Sequence, residues 1–339
     1  MMLSLLAIAA LCAPTLPQSS QPPERATDQE ILQQCVTEAP TELHEVTRVV
    51  DGDTIWILRD GKREKLRLLS VDTEEKFMKG GDLSELKPCT RYGDECTGWA
   101  QGFFSPRSVD SGPVKVGLRF PDGLEARDIY GRLLCQVVTS DGVDFNLLLV
   151  RRGMSPYFNK YGNSRISHQA FVSAQAAAKK EYLGIWNRRT NEKGKSRPYD
   201  RLLPWWNARA LAIDIFREKA KANPASFIEA DNADALEASL KKGTSKITVL
   251  AIISKVFDEN DGTKTVLLRG GDKARAIRVP MSADDWAALQ KIDMEGSMKE
   301  MRQNYLMISG TLAQGTRSYE LHGVSTSDWS LAGPEPEAK

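Results

Sequence analysis

From Glu45 onward, apolar and polar positions alternate with the period of a strand. EVTRVV, TIWILRD and EKLRLLSV each read as one strand, and Asp60–Gly61 marks a tight turn between the second and the third. VKVGLRF (114–120) and RLLCQVV (132–138) add two more. Residues 93–108 predict a helix with Trp99, Phe103 and Phe104 on or near one face. Phe145 to Arg152 and Ser167 to Leu183 predict two further helices, the second containing the Ala-rich run AQAAAKKEYL. Residues 73–92 carry Gly, Lys, Pro and Cys and read as a long loop, a type that tends to be functional in compact domains. Five strands with a helix between the third and fourth, then helices, predict a five-stranded barrel of OB type.

Beyond this block the pattern changes twice. Residues 187–203 (NRRTNEKGKSRPYDRLL) form a polar hinge. Between Lys179 and Arg201 there are eight Lys/Arg against three Asp/Glu, which suits a solvated linker or a phosphate-tracking surface. Trp205 to Ala222 predicts a helix, and a second follows at about 231–241. Strand patterns then return in KITVLAIISKVF, TKTVLLRG, KARAIRVP, NYLMISGTL and SYELHGVS, with a short helix, ADDWAALQK, between the third and fourth. The fold class is therefore α+β, mainly β. An OB-type barrel spans 41–187, a basic and helical linker 188–243, and a second, OB-like or other small β-rich domain 244–330, before a tail at 331–339.

The N-terminus reads differently again. Met1 to Ala13 is an apolar run of signal-peptide length, too short to span a bilayer and followed by Pro14 and Pro17. It predicts a signal peptide over 1–20, a linker over 21–40, and a secreted or periplasmic location. No later segment has the apolar length of a membrane span. Cys35, Cys89, Cys96 and Cys135 then remain, an even count that permits disulfides in an exported chain. Cys89 and Cys96 close a short loop and form the candidate pair. Cys135, in LLCQVV, reads as a buried free thiol.

The 46 Lys+Arg and 45 Asp+Glu give a net charge of +1, so bulk charge cannot hold a nucleic acid. An anionic substrate must meet a local cluster of cations. Three clusters near strand ends carry candidate chemistry: Asp51-Gly52-Asp53-Thr54, the run from Arg67 through Asp72-Thr73-Glu74-Glu75, and Asp128-Ile129-Tyr130-Gly131-Arg132. Carboxylates and carbonyls are the hard ligands that Ca²⁺ prefers, and Arg suits a bidentate clamp on phosphate. Together they point to metal-assisted phosphodiester chemistry. His44, His168 and His322 are scattered and read as structural.

VVDGDTIWI, RLLSVDTEE, DIYGR, FNLLLVRRGM and AQAAAKKEYLGIW occur in that order over residues 45–187, and this set resembles the staphylococcal nuclease (thermonuclease) family. The resemblance implies that Asp53, Asp72 and the backbone carbonyl of Thr73 ligate Ca²⁺, with Asp51 beside them. It implies that Glu75 holds or activates the attacking water and that Arg67 and Arg132 clamp the scissile phosphate. Tyr130 would flank the nucleotide, and Tyr161 or Tyr157 would bond a terminal phosphate or stack on a base. The implied substrates are DNA and RNA, the implied products 3′-phosphates, and a monomer is expected.

This chain departs from the family pattern at Glu74, where the family has Pro. That leaves the register between Glu74 and Glu75 open. Two other readings stand beside the nuclease: a binding module that has lost turnover, and a chain whose C-terminal block docks to an unidentified partner. A cut after about Arg201 separates them, because the nuclease reading expects activity to survive it.

Overall fold

The computed structural model describes residues 25–331, apart from 85, 107, 109–111, 129, 244–245, 269–275, 291–305 and 317. The predicted signal peptide lies outside the described residues, as does the predicted tail apart from Leu331 and, in the DIYGR cluster, Ile129.

Strands β1 (His44–Asp51), β2 (Thr54–Arg59), β3 (Lys62–Leu68), β4 (Lys115–Arg119) and β5 (Leu133–Thr139) close a barrel in the order β1-β2-β3-β5-β4. Asp60 and Gly61 both have positive φ, as the tight β2–β3 hairpin requires, and glycine adopts that conformation without cost. β3 and β5 run parallel, with Arg67 opposite Leu134. Such a pair needs a long crossover, and the chain uses it to build the long loop after β3 and a helix. The closing pair is His44 with Val116.

Alternation fills the barrel. Ile55, Ile57, Leu66, Leu68, Val116 and Val137 point inward and are buried, whereas Trp56, Lys65 and Arg67 on the opposite face are partly exposed. Around them lie α1 (Asp28–Gln34), α2 (Arg91–Phe103), α3 (Phe145–Arg151) and α4 (His168–Lys180). The side chains of Thr90 and Asp144 cap α2 and α3, accepting from the backbone N–H of Gly93 and Leu147. Trp99 of α2 stacks on Phe145 of α3 at 5.7 Å. Asn146, fully buried, accepts from Val137 N–H and donates to Leu69 O, which fixes the exit of β3 toward the loop.

The predicted Cys89–Cys96 disulfide is not formed, and all four described thiols are free and buried. Cys96 sits on the buried face of α2 and its Sγ points to Met154 O at 3.5 Å, while Cys89 Sγ points to Gly81 O at 3.3 Å. The two side chains serve different carbonyls, so a bond needs both to turn away. Cys135 is the buried thiol its apolar setting predicted.

Helix α5 (Tyr199–Ala222) starts six residues before the predicted Trp205 and carries Pro204 inside it, where the missing N–H gives up one backbone hydrogen bond. Its first half packs Tyr199, Leu202, Trp205 and Trp206 near Phe158, Ile185 and Trp186 at the barrel's end. Its second half packs Ala212, Ile213 and Phe216 against Leu250. After β6 (Phe227–Glu229) and α6 (Ala233–Lys242) come β7 (Ile247–Ala251), β8 (Ile253–Asp258), β9 (Lys264–Leu268), β10 (Ile277–Met281), α7 (Ala283–Gln290), β11 (Leu306–Gln314), β12 (Tyr319–His322) and β13 (Trp329–Leu331).

Among the described residues the second β unit is an eight-stranded sheet, not a closed OB-type barrel. Its path is β6-β7-β11-β12-β10-β9-β8, with β13 on β11. KITVLAIISKVF divides into β7 and β8; β8 ends that path, and β7 lies next to β6 at the other end. No helix among the described residues is long and apolar enough to cross a membrane.

Candidate active site

The DGDT turn joins β1 to β2 and brings Asp53 under the loop that leaves β3. Gly52 is required there, because a Cβ would lie 2.6 Å from Thr73 Cγ2. Asp53 Oδ2 accepts from Thr73 N–H at 2.9 Å and from the Thr73 hydroxyl at 3.3 Å. Its Oδ1 accepts from the Thr54 hydroxyl at 3.1 Å and pairs with Arg67 Nη1. The other arm of the same guanidinium, Nη2, bonds Asp72 Oδ1 at 2.8 Å. Two carboxylates from separate loops thus converge on one cation.

Asp72 meets three cations, Arg67, Lys87 and Arg197. Its backbone N–H donates to Ser155 Oγ at 2.8 Å. Lys87 Nζ lies 3.0 Å from Oδ1 and 2.6 Å from Glu75 Oε1, so one ammonium bridges the two acids. Arg197 Nη2 bonds Oδ2 at 2.8 Å. Burial opposes ionisation of Asp72, but Arg197, Lys87 and Arg67 outweigh it and hold the group well below the usual carboxylate range. Asp51 goes the other way: burial pushes it up despite Arg67, Lys76 and Lys87 nearby.

Thus Asp53, Arg67, Asp72, Thr73 and Glu75 lie together in one cluster. Among the described residues Arg132 has no contact with them: it immediately precedes β5, two residues before Leu134, the register partner of Arg67. Asp128 holds it at 2.6 Å and Tyr130, 77 % exposed, lies under its guanidinium at 5.3 Å. The two tyrosine candidates separate. Tyr157 is 3 % exposed, stacked on Phe171 at 5.1 Å, and its hydroxyl is engaged by Ser164 N–H and His168 Nδ1. It is a core residue and cannot stack on a base, whereas Tyr161 lies at the surface.

Sequence reasoning missed Lys87, Ser155 and Arg197. Lys87 lies in the loop already singled out, but Ser155 and Arg197 are 83 and 125 positions from Asp72. Short motifs hold no signal at that range. Glu74 turns away from the acids into a buried pocket of hydroxyl and amide donors. That orientation leaves Glu75 as the carboxylate facing the site.

The family model described as "Staphylococcal nuclease homologue" matches residues 65–188. A thermonuclease from Staphylococcus intermedius is 32% identical over 157 residues, which cover 45% of this chain and 80% of that protein. Endonuclease YhcR of Bacillus subtilis (strain 168) is 39% identical over 147 residues, 42% of this chain but 11% of that protein. An uncharacterized endonuclease of Escherichia coli is 27% identical over 142 residues, 42% of this chain and 75% of that protein. The chain belongs to the staphylococcal nuclease family. Arg197, α5 and the eight-stranded sheet lie beyond the residues that the family model matches.

Proposed function

We propose that the protein is an exported, Ca²⁺-dependent nuclease that hydrolyses phosphodiester bonds of DNA and RNA and leaves 3′-phosphates. The observation that carries this reading is the convergence of Asp53 and Asp72 on Arg67, with Glu75 one ammonium away. The donor set fits Ca²⁺. Two carboxylates aim oxygens at the Arg67 guanidinium, and a backbone carbonyl adjoins them at Thr73. Among the described residues no three Asp, Glu, His or Cys side chains form a metal cluster, and Asp53, Asp72 and the Thr73 carbonyl are the groups that would hold the ion.

Bound there, Ca²⁺ would supply Lewis-acid stabilisation of the charge that grows on the phosphate. The chain's own groups do the rest. Glu75 has one oxygen on Lys87 and offers the other to a water, whose proton it takes as the hydroxide oxygen bonds to phosphorus. The bond from phosphorus to O5′ breaks, that oxygen takes a proton from solvent water, and Glu75 then returns its proton to solvent. Arg67 exchanges its carboxylate partners for phosphate oxygens, and Arg132, held ready by Asp128, meets them from the position just before β5.

The site face also carries what a weakly charged protein needs for an anion. Arg63 and Lys65 lie 5.1 and 5.9 Å from the Trp56 ring centroid, and Arg132 lies over Tyr130. Cations interleaved with aromatic rings suit a single strand, whose phosphates need charge and whose bases stack. The test is digestion of single-stranded DNA with Ca²⁺ and then with a chelator. Cleavage in Ca²⁺ that stops with chelator supports the reading. Tight binding without cleavage would replace it with the binding-module reading.

A further inference from the structure

Asp72 has two carboxylate oxygens, and they face different parts of the chain. Oδ1 meets Arg67 and Lys87 on the candidate site's side. Oδ2 meets Arg197, which arrives from outside the family-matched region. Arg197 is 6 % exposed, and its Nη1 also donates to the backbone carbonyl of Asp72 at 3.2 Å. One planar guanidinium therefore fixes both the side chain and the main chain of the same acid. The guanidinium itself rests between rings, its Cζ 5.5 Å from the centroid of Tyr199 and 5.6 Å from that of Trp206.

A second tie lies two residues along the loop. Glu74 is 2 % exposed, and its carboxylate accepts from the Thr90 hydroxyl at 2.6 Å, Asn191 Nδ2 at 2.8 Å and the Tyr199 hydroxyl at 3.3 Å. Asn191 Oδ1 in turn accepts from Tyr92 N–H at 3.3 Å. Further out, Lys195 pairs with Asp82. Residues 191–199 thus grip the loop at Asp72, Glu74 and Asp82, and grip the start of α2 beside it. A buried carboxylate is costly unless fully bonded, so Glu74 has its place only while this segment is docked. Where the family stiffens the loop locally with Pro, this chain stiffens it with tertiary bonds to a later segment.

We propose that residues 191–199 are a working part of the nuclease site: a clasp in which Arg197 is the positioning residue for Asp72 and Glu74 anchors the loop carrying Glu75. The proposal rests on the nuclease reading above. It makes Arg197 the group that decides which oxygen of Asp72 faces metal and substrate, as supporting hydrogen bonds orient metal ligands elsewhere.

The test uses the full chain with Arg197→Ala, Arg197→Lys and Glu74→Gln, each checked by thermal melting. Ca²⁺ binding is titrated by calorimetry without nucleic acid, and cleavage of single-stranded DNA is measured separately. Arg197→Ala should weaken Ca²⁺ binding and lower kcat by about 10- to 100-fold each, the range for removal of such supporting bonds. KM for the strand should stay near wild type, and Arg197→Lys should recover part of both losses. A folded Arg197→Ala protein with wild-type Ca²⁺ affinity and kcat overturns the proposal, whatever its melting temperature.

If Arg197→Ala does not fold, Glu74→Gln decides, since it keeps the shape but removes the charge and replaces one acceptor oxygen with an NH2 donor among groups that donate to it. A several-fold loss of kcat at unchanged KM supports the clasp, and a wild-type kcat overturns it. A wild type that binds Ca²⁺ but does not cleave sinks the nuclease reading, while the Ca²⁺ titration still decides whether Arg197 positions Asp72. A wild type that does neither overturns both.

Discussion

Asp144 caps α3 from a buried position, and burial pushes its carboxyl up to about 6, against the backbone bonds from Leu147 and Asn146 that favour the charge. Its folded value lies above the ordinary 3.8, so the folded chain binds more protons between about pH 4 and pH 6. The stability this group contributes is present below about pH 4 and is lost as pH rises through 6, on the order of 3 kcal/mol in all. Asp144→Asn keeps a capping oxygen and removes the titration. Denaturant titrations at pH 4, 5, 6 and 7 should show this variant gaining on wild type as pH rises. A constant difference would contradict the shift. At this scale the sequence was legible where a site residue belongs to a short ordered run, as Asp53, Arg67, Asp72 and Glu75 do. It was silent on Arg197, whose role depends on a fold that brings distant positions together. It misled at Cys89 and Cys96, where sequence proximity hid the different directions of the two thiols.

The elements follow the hydrophobic period closely in the barrel, where alternation decides burial. They follow it less well after residue 187, where β6 is three residues long and pairs in parallel with β7, a contact no local pattern announces. Helix α5 is the instructive case. Its Trp205 and Trp206 are both buried packing residues, and Trp206 stands edge-on to Phe158 at 4.8 Å and beside Arg197. A cut after Arg201 removes that support. The expectation that activity survives such a cut therefore reverses: the protein ending at Arg201 should lose both stability and cleavage. A protein ending at Ala222 keeps all of α5 and should retain most of both. Melting curves and a cleavage assay on the two truncations check this, and equal activity in both would contradict it.

For the whole molecule, a net charge of +1 means that substrate affinity must come from placement. Along β3, alternate residues Arg63, Lys65 and Arg67 share one face and lead away from the site at about 6.7 Å per step, twice the strand rise. Trp56 lies opposite Lys65 on β2. Arg63→Glu with Lys65→Glu should raise KM on a long single strand about tenfold, and lower its salt dependence, while leaving kcat and cleavage of a dinucleotide near wild type. An equal loss on both substrates would place these residues elsewhere in the mechanism. The central claim, that one ordered set of acids and arginines cleaves phosphodiesters here, is tested most directly by cleavage of single-stranded DNA in Ca²⁺ by wild type, Glu75→Gln and Arg67→Ala. The expected result is 3′-phosphate products from wild type and a kcat lower by about 100-fold or more in each variant, the usual cost of losing such a group. Undiminished cleavage by the folded Glu75→Gln protein would contradict it.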